Sequence, residues 1–322
     1  MANTIAPMRH DQGRSVKNHS GRIYRKSKAR QYLPVYVMLI PVFVYFFVFK
    51  ILPIYGIQLA FKDFNAIKGI WDSTWVGLKH FRTLFSNYYF TRILVNTLTI
   101  SLLRLVTAIP VSILFALLLN ELRSTKFKKL TQTVSYLPHF ISWVVAGGIF
   151  VLLLSPQYGA INAVIRFFGG ESIYFLGDSN YFVGTVVVTG IWKNMGWDSI
   201  IYVATLTGVS QELYEAASID GANRFQKAIH ISLPALMPTI VLLTTLTLGA
   251  VLSAGFEQLY NMYNAAVYDV GDIIDTYVFR QGFERADFSF ATAVGLFKSV
   301  VAFILVMLAN WMSRRTVKYS MW

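Results

Sequence analysis

A compact group of polar and aromatic residues interrupts the apolar stretch from about 181 to 206. Carboxylate and amide groups can hydrogen-bond the hydroxyls of a sugar ring, and flat aromatic rings can stack on its apolar face. Within a membrane such polar side chains are costly and by default indicate a functional site. The alternative, a Lys193–Asp198 pair or interhelical hydrogen bonds that only fix packing, stays open here. The candidate substrate-binding residues of this group are Trp192, Asn194, Trp197, Asp198 and Tyr202.

A second polar group follows the apolar stretch from about 235 to 256. Its carboxylate, amide and phenol groups could contact the same ligand, although tyrosines at a membrane surface also serve as interfacial anchors. The candidate residues of this second group are Glu257, Tyr260, Asn261 and Asn264. Arg104 and Lys50 also lie in apolar stretches, where we expect them to snorkel or to pair with an acid.

The composition places these residues in a polytopic membrane protein. The chain of 322 residues is 55% hydrophobic and 14% charged, whereas soluble domains carry about 25% charged residues. Apolar stretches of about 20 residues cross a bilayer core as helices. Six such stretches occur, at about 33–57, 93–119, 134–154, 181–206, 235–256 and 288–312. We predict an all-α fold with six transmembrane helices. Between the first two, in residues 62–92, we predict an amphipathic helix on the outer surface, with Phe81, Leu84, Phe85 and Phe90 at roughly helical spacing.

The positions of the lysines and arginines predict the orientation. The net charge is +13, and the basic residues concentrate in residues 1–32, in two loops and in the tail 314–322. The positive-inside rule assigns these segments to the cytoplasm, so both termini are predicted to be cytoplasmic and 33–313 to form the transmembrane domain. Contact with anionic lipid explains the basic N-terminal segment better than nucleic acid does. The chain has no cysteine, which excludes disulfides and thiolate metal sites.

The loop between the fourth and fifth stretches has a helical pattern that a simple turn would not need. Ser210 is a candidate N-cap with Glu212 in the first turn, and Asp220 and Gly221 interrupt the helix. Asp220 is expected to cap a second short helix, and Pro234 to start the next span. The sequence therefore predicts a helix–turn–helix at the cytoplasmic surface.

Large apolar residues in this loop, Leu213, Phe225 and Ile229, could pack it against the rest of the protein. An amphipathic loop that lies on the membrane is the alternative. The spacing favours the helix–turn–helix. Glu215-Ala216-Ala217 is followed after three residues by Gly221. Nine residues later comes Ile231, and after one more residue the pattern ends with Leu233-Pro234.

This spacing resembles the EAA motif of binding-protein-dependent ABC importer permeases, and all seven motif positions match. The resemblance implies that the loop 210–234 is a coupling helix that docks on a cytoplasmic ATPase. The residues carried over are Glu215 and Gly221 for docking and hinge, Ala216 and Ala217 for a close-packed face, Asp220 as the cap, and Leu233 and Pro234 at the end of the motif.

The resemblance extends over most of the chain. Residues 77–98, 158–170 and 272–301 are similar to the multiple-sugar, LplB-like branch of the maltose-permease family. This resemblance implies a type I ABC importer permease architecture in a bacterial cytoplasmic membrane. Lys298, within the last stretch, departs from the pattern of the family.

No G-x-x-x-x-G-K-[ST] motif occurs, so the chain has no phosphate-binding loop of its own. The histidines show no HExxH or similar ligand spacing. We therefore predict that the chain is not an enzyme and has no metal site or cofactor. The resemblance implies two partner ATPase subunits that bind ATP and Mg, a second permease subunit, an extracellular solute-binding lipoprotein and an oligosaccharide substrate.

Two other functions fit a polytopic protein. An ion-coupled secondary transporter would typically show repeats with broken helices at matching positions, which the sequence lacks. A membrane-embedded enzyme that acts on lipid-linked sugar would need paired carboxylates or a metal site. Its candidate cluster is Asp269, Asp272 and Asp275, which could equally be solvated or contact a binding protein.

Overall fold

The computed structural model of the protein describes residues 32–249 and 251–316. The predicted basic segment 1–32 lies outside the described residues except for its last residue, and so does 317–322 of the predicted tail. The chain divides into two compact units, one up to Gly56 and one from Ile57 onward. Helices dominate the described residues, as predicted.

The first unit contains helix α1, Leu33–Phe46, which opens with a proline in its first turn. A proline is favourable there because the first helical amides lack intrahelical acceptors. A π-helical turn, Phe47–Ile51, follows α1 and leads into the 3-10 segment Leu52–Phe61. None of the residues of α1 is buried.

The second unit contains one small β-hairpin and fourteen further helices among its described residues. The strands are β1, Lys62–Asn65, and β2, Ser73–Trp75, which pair antiparallel and enclose α2, Gly69–Asp72. The next helices are α3, Lys79–Ser86; α4, Tyr88–Asn120; α5, Thr125–Tyr136; α6, Trp143–Leu153; α7, Ala160–Phe167; α8, Ser179–Thr207; and α9, Gln211–Ile219. They are followed by α10, Arg224–Lys227; α11, Leu233–Gly249; α12, Phe256–Met262; α13, Tyr268–Gly271; α14, Ile274–Phe279; and α15, Phe288–Thr316.

Four helices of the described chain are long and apolar enough to cross a membrane, against six predicted. They are Leu33–Phe61, Tyr88–Asn120, Arg224–Leu248 and Phe288–Leu308. A fifth crossing is possible if the bent pair Thr125–Phe140 and Trp143–Leu153 counts as one span. Helix α8 spans 29 residues but is absent from this set, because its polar residues dilute its apolar ones.

The third predicted span, 134–154, is broken rather than continuous. Its two helices meet at an angle of 100°. Pro138 lies in a 3-10 turn, and the hydroxyl of Ser142 accepts a hydrogen bond from the amide of Val145 to start α6. Proline and an N-cap serine end one helix and start another. The periodicity of apolar residues does not reveal such a break.

The fifth predicted span, 235–256, begins and ends earlier than expected. A π-helical turn, Ala228–Ser232, joins α10 to α11, so that the helix is continuous from Arg224 to Leu248. Beyond α11, Ala254 and Gly255 adopt positive φ angles. The chain therefore changes direction there, and α12 does not continue the path of α11. Pro234 therefore continues this helix rather than starting it.

Helices α4 and α8 pack against each other more extensively than any other described pair. One core cluster near the N-terminal end of α8 includes Ile100 and Phe182, and another near its C-terminal end includes Ala116 and Tyr202. The middle of α4 lies between these two clusters.

The predicted amphipathic helix between the first two spans is present as α3, on which Leu84 is fully buried, but Phe90 belongs to the start of α4 instead. The ring of Phe85 contacts that of Phe297 on α15, with centroids 5.5 Å apart. Lys298, on the same helix, lies 2.5 Å from Asp275 and also donates a hydrogen bond to Ser253. The departure at Lys298 is thus explained by an ion pair between α15 and α14.

Candidate functional site

A cavity of about 580 Å³ lies between the middle of α4, the C-terminal half of α8, α11 and the turn 253–255. This volume is within the range of about 300–1,000 Å³ that small-molecule sites occupy. Arg104, the middle residue of α4, lies on its wall. The residues that line the cavity are Ser101, Arg104, Leu105, Ala108, Ile109, Ser112, Trp197, Asp198, Ile200, Ile201, Tyr202, Leu243, Thr247, Ser253, Ala254 and Gly255.

Three of the predicted substrate residues, Trp197, Asp198 and Tyr202, line this cavity together. Tyr202 is almost fully buried, whereas Trp197 and Asp198 are exposed to the cavity. The indole of Trp197 stacks face to face on the ring of His139, with centroids 4.4 Å apart. The stacking on His139 fixes the orientation of the indole ring at the cavity wall.

Asn194 and Trp192 do not line the cavity. The carboxamide of Asn194 contacts Nδ1 of His139 at 3.1 Å and donates a hydrogen bond to the carbonyl of Gly190. It therefore helps to position His139. Trp192 contacts Phe150 edge to face and lies in a separate, apolar pocket of about 530 Å³.

Lys193 has a structural role that differs from the predicted pair with Asp198. It is buried, and its ammonium donates hydrogen bonds to the carbonyls of Pro138 and His139, at 3.1 and 2.7 Å. These carbonyls lie at the break of the bent helix pair, where the helical hydrogen-bond ladder stops. The predicted ion pair between Lys193 and Asp198 was therefore wrong. The carboxylate of Asp198 lines the cavity and is not used by Lys193.

Arg104 is the cavity residue that the sequence analysis missed, since it expected this side chain to snorkel or to pair with an acid. Nη2 of Arg104 instead donates a hydrogen bond to Oε1 of Gln258. Gly255 has a φ of +79°, and a Cβ atom there would overlap the guanidinium. Glycine is thus required at 255 for its backbone conformation and for the space that it leaves.

The second predicted group, on and after α12, does not reach this cavity. Glu257 and Tyr260 are exposed, and the ring of Tyr260 packs on Phe279. Asn261 donates to the carbonyl of Glu257. Asn264 caps a short 3-10 turn and donates to the carbonyl of Leu176, so its carboxamide is used within the fold.

The three aspartates of the enzyme alternative do not form a cluster. Asp272 is fully buried and pairs with Arg280, Asp275 pairs with Lys298, and Asp269 accepts a hydrogen bond from Ser179. Burial disfavours a charged guanidinium, but the hydrogen bonds and charge of Asp272 outweigh this effect and raise the pKa of Arg280. The expectation that Asp272 is solvated or contacts a binding protein was wrong. No group of three or more potential metal ligands occurs among residues 32–249 and 251–316.

The predicted helix–turn–helix is present at the C-terminal end of α8. The hydroxyl of Ser210 accepts a hydrogen bond from the amide of Glu212, as expected of the N-cap of α9. Gly221 has a φ of +82° in the turn after α9. Asp220 ends α9 instead of capping α10, because Asn223 and Gln226 form a reciprocal capping box there.

The hairpin, defined as residues 210–232, is anchored by polar contacts. The hydroxyls of Tyr214 and Ser232 are 2.9 Å apart, and Lys227 donates a hydrogen bond to Ser218 at 3.2 Å. Arg224 lies 3.9 Å from Glu121, at the end of α4.

The surface of the hairpin remains largely exposed. The motif residues Glu215, Ala216, Asp220, Gly221 and Pro234 are exposed, whereas Ala217 and Leu233 are half-buried. Leu213 and Phe225 are 55% and 73% exposed, and Ile229 is 40% exposed. The expectation that these three pack the hairpin against the rest of the chain was therefore wrong.

The second unit combines apolar helices, a mainly apolar cavity whose wall includes Arg104 and Asp198, and an exposed helical hairpin, which is the organisation of a transport permease. Residues 108–318 match the family described as "Binding-protein-dependent transport system inner membrane component". The chain belongs to this family, which confirms the resemblance found in its EAA spacing.

Curated relatives cover nearly the whole chain. The chain is 44% identical over 300 residues to the polygalacturonan/rhamnogalacturonan transport system permease protein YteP of Bacillus subtilis, covering 91% of this chain and 94% of the relative. It is 44% identical to protein LplB of the same species, over 87% and 88% of the two chains. It is 30% identical to the arabinooligosaccharides transport system permease protein AraP of Halalkalibacterium halodurans, over 89% of each.

A solved structure shares the fold. One chain of the bacterial alginate ABC transporter, crystallised in complex with its alginate pentasaccharide-bound periplasmic protein, superposes with a TM-score of 0.83. The two chains are 39% identical, over 91% of this chain and 98% of the other. YteP and AraP are named as permease proteins of transport systems, in agreement with the prediction that this chain is not itself an enzyme.

Proposed function

We propose that this chain is one of two membrane subunits of an ATP-driven importer that takes up an oligosaccharide delivered by an extracellular solute-binding protein. Two ATPase subunits would bind ATP and Mg and would dock on the hairpin 210–232 from the cytoplasm. The complex would lie in a bacterial cytoplasmic membrane with both termini of this chain inside. Nucleotide-driven motion of the hairpin would rock the helices and open the cavity to one side at a time.

The exposed hairpin is the observation that carries this proposal. Its motif residues Glu215 and Gly221 and its apolar residues Leu213 and Phe225 lie at the surface of a chain that has no phosphate-binding loop. Exposed apolar side chains rimmed by polar ones are typical of a protein–protein interface. A secondary transporter would have no use for such a hairpin, and the separated aspartates remove the candidate site of an enzyme.

Oligosaccharide as the substrate is supported by the relatives and by the cavity. The relatives include permeases named for polygalacturonan and arabinooligosaccharides, and the solved transporter imports alginate. In this chain Trp197 offers a flat ring and Asp198 a carboxylate to the same space, beside Tyr202. An aromatic face with nearby hydrogen-bonding groups suits a sugar ring. The exposed Glu257 and Tyr260 are candidates for contacts at the mouth of the path.

Co-purification with the ATPase subunit tests this proposal. The complete importer is expressed with an affinity tag on this chain, and the recovered ATPase is quantified for wild type and for the double variant Glu215→Ala/Gly221→Ala. We expect the variant to lose most of the ATPase, because one change removes an exposed charge and the other strains a left-handed turn. Gly169→Ala/Glu171→Ala is a matched control, since Gly169 has a φ of +83° and Glu171 is exposed on a different loop. Equal recovery from the test and control variants would contradict the proposal.

A further inference from the structure

The cavity contains polar atoms that the protein itself leaves without partners. Among residues 32–249 and 251–316, the buried side-chain nitrogen and oxygen atoms that lack a hydrogen bond are Oγ of Ser101, Nε of Arg104 and Oγ of Ser112. All three residues line the cavity of about 580 Å³, on one face of α4. Unpartnered buried polar groups are unfavourable, so their concentration in one wall indicates a ligand that hydrogen-bonds them.

The guanidinium of Arg104 is held in place from one side. Gln258 accepts a hydrogen bond from Nη2, and its own amide donates to the carbonyl of Val186 and the hydroxyl of Thr189, both at 2.8 Å. Gly255 leaves the space that Nη1 occupies. The anchoring residue is therefore a neutral amide, and the buried Nε has no hydrogen-bond partner among the described residues.

The charge of Arg104 has no acidic partner in the part of the chain that the structure describes. No carboxylate of the described residues lies within 4 Å of it, since the ion pairs of that part of the chain join other residues. Asp198, the acidic residue of the cavity wall, forms no ion pair there either. A charged side chain at membrane depth is normally paired or functional. An unpaired guanidinium in a ligand-sized cavity fits an anionic ligand, because arginine can bind a carboxylate with two parallel hydrogen bonds.

We infer that the cavity accepts an acidic saccharide, with the carboxylate of a uronic acid unit bound by Arg104. Ser101, one turn from Arg104, binds an oxygen of the same unit, and Ser112, about 12 Å further along α4 than Arg104, binds an oxygen of another unit. Asp198 accepts hydrogen bonds from ring hydroxyls, and Trp197 stacks on a ring. A neutral sugar of the same size would leave the guanidinium without a counter-charge. This inference rests on the proposed function, and it adds the charge class of the substrate and the residue that selects it.

Direct binding to the purified importer, without the solute-binding protein, tests the inference. The probes are radiolabelled trigalacturonate and the neutral trisaccharide galactotriose, compared by equilibrium dialysis. We expect wild type to bind trigalacturonate about tenfold to a hundredfold more tightly, the range that a charged hydrogen-bonded pair contributes. Arg104→Gln should abolish this preference, and Arg104→Lys should retain part of it. Gly255→Ala should reduce it, because a Cβ atom displaces the guanidinium.

Arg92→Gln is the matched control. Arg92 lies on the same helix, but it is exposed, does not line the cavity and contacts the ring of Tyr88. The variant should keep the wild-type preference. Equal binding of the two probes by wild type, tighter binding of galactotriose, or failure of trigalacturonate to bind would each overturn the inference without any variant. A preference that survives in Arg104→Gln would overturn the role of this residue. Because binding is measured on an importer that has already copurified with its ATPase, these outcomes are separate from failure of the proposed function.

Discussion

Asp272 and Arg280 form a buried ion pair, with Oδ2 and Nη2 2.5 Å apart and the carboxylate fully inaccessible. The hydroxyls of Tyr89 and Thr276 each donate to the same carboxylate at 2.7 Å. The guanidinium also lies over the ring of Tyr268, 4.8 Å from its centroid. The pair therefore ties the start of α4 to the segment 268–284, together with a buried hydrogen bond from the amide of Ile274 to the hydroxyl of Thr97 at 3.0 Å.

Asp272→Asn should destabilise the protein by about 3–5 kcal/mol, because it leaves a buried guanidinium without its counter-charge. The measurement is denaturant-induced unfolding of the purified protein in detergent. Asp63→Asn is the control, since Asp63 pairs with Lys79 and both side chains are more than half exposed. It should change the free energy of unfolding by less than about 1 kcal/mol. Equal effects of the two substitutions would contradict the structural role of the buried pair.

Lys193 and Asp198 lie on the same helix and should respond differently to substitution. Lys193→Met removes two hydrogen bonds to carbonyls at the break of the bent pair, so it should lower stability by about 1.5–3 kcal/mol. Asp198→Asn breaks no hydrogen bond within the described residues and should leave assembly intact while it impairs uptake. Unfolding of the purified importer and uptake into cells measure the two effects. Loss of assembly in Asp198→Asn would show that this residue only serves packing.

The capping box of α10 predicts that Asn223 matters more than Asp220 for the hairpin. The side chain of Asn223 accepts a hydrogen bond from the amide of Gln226 at 2.9 Å, whereas that of Asp220 accepts none within the described residues. Asn223→Ala should cost about 1 kcal/mol, which corresponds to about fivefold faster hydrogen exchange in 224–232. Asn223→Asp keeps the cap and should restore the slow exchange. An equal or larger effect of Asp220→Ala would contradict this assignment.

The absence of cysteine from the sequence makes the orientation directly testable. Phe225 on the hairpin and Phe168 after α7 are 73% and 81% exposed, and they flank opposite ends of α8. In intact cells, a membrane-impermeant thiol reagent should label Phe168→Cys and not Phe225→Cys. Inverted membrane vesicles should give the reverse pattern. Labelling of Phe225→Cys in intact cells would contradict a cytoplasmic hairpin.

The elements that depend on local pattern could be predicted from the sequence. The hairpin follows from Ser210, the short helix and Gly221, and α3 follows from the spacing of Phe81, Leu84 and Phe85. The break at Ile141–Ser142 was missed because the run 134–154 is long enough for one span, although Pro138 and Ser142 within it mark the end of one helix and the start of the next. The boundary at Pro234 was missed because a π-helical turn carries the helix through the motif.

The residues of the candidate site that lie on one helix could be predicted from the sequence, whereas the residue that another helix contributes could not. Asp198 and Tyr202 are one turn apart on one helix, so their common face follows from helical geometry, and Trp197 is the neighbour of Asp198 in the sequence. Arg104 joins them only through the packing of α4 on α8. The signal that could have found it was its position at the centre of an apolar stretch, where snorkelling to the membrane surface is hardest.

The bend between α5 and α6 interrupts the helical hydrogen bonds, and the neighbouring helix supplies a donor there through Lys193, which binds the carbonyls of Pro138 and His139. Lys193 and the break at 138–142 should therefore vary together among related permeases, although some fifty residues separate them along the chain. A related permease in which the segment corresponding to 134–154 is one straight helix should lack a lysine at the position of Lys193. One that has this lysine should also have the bend.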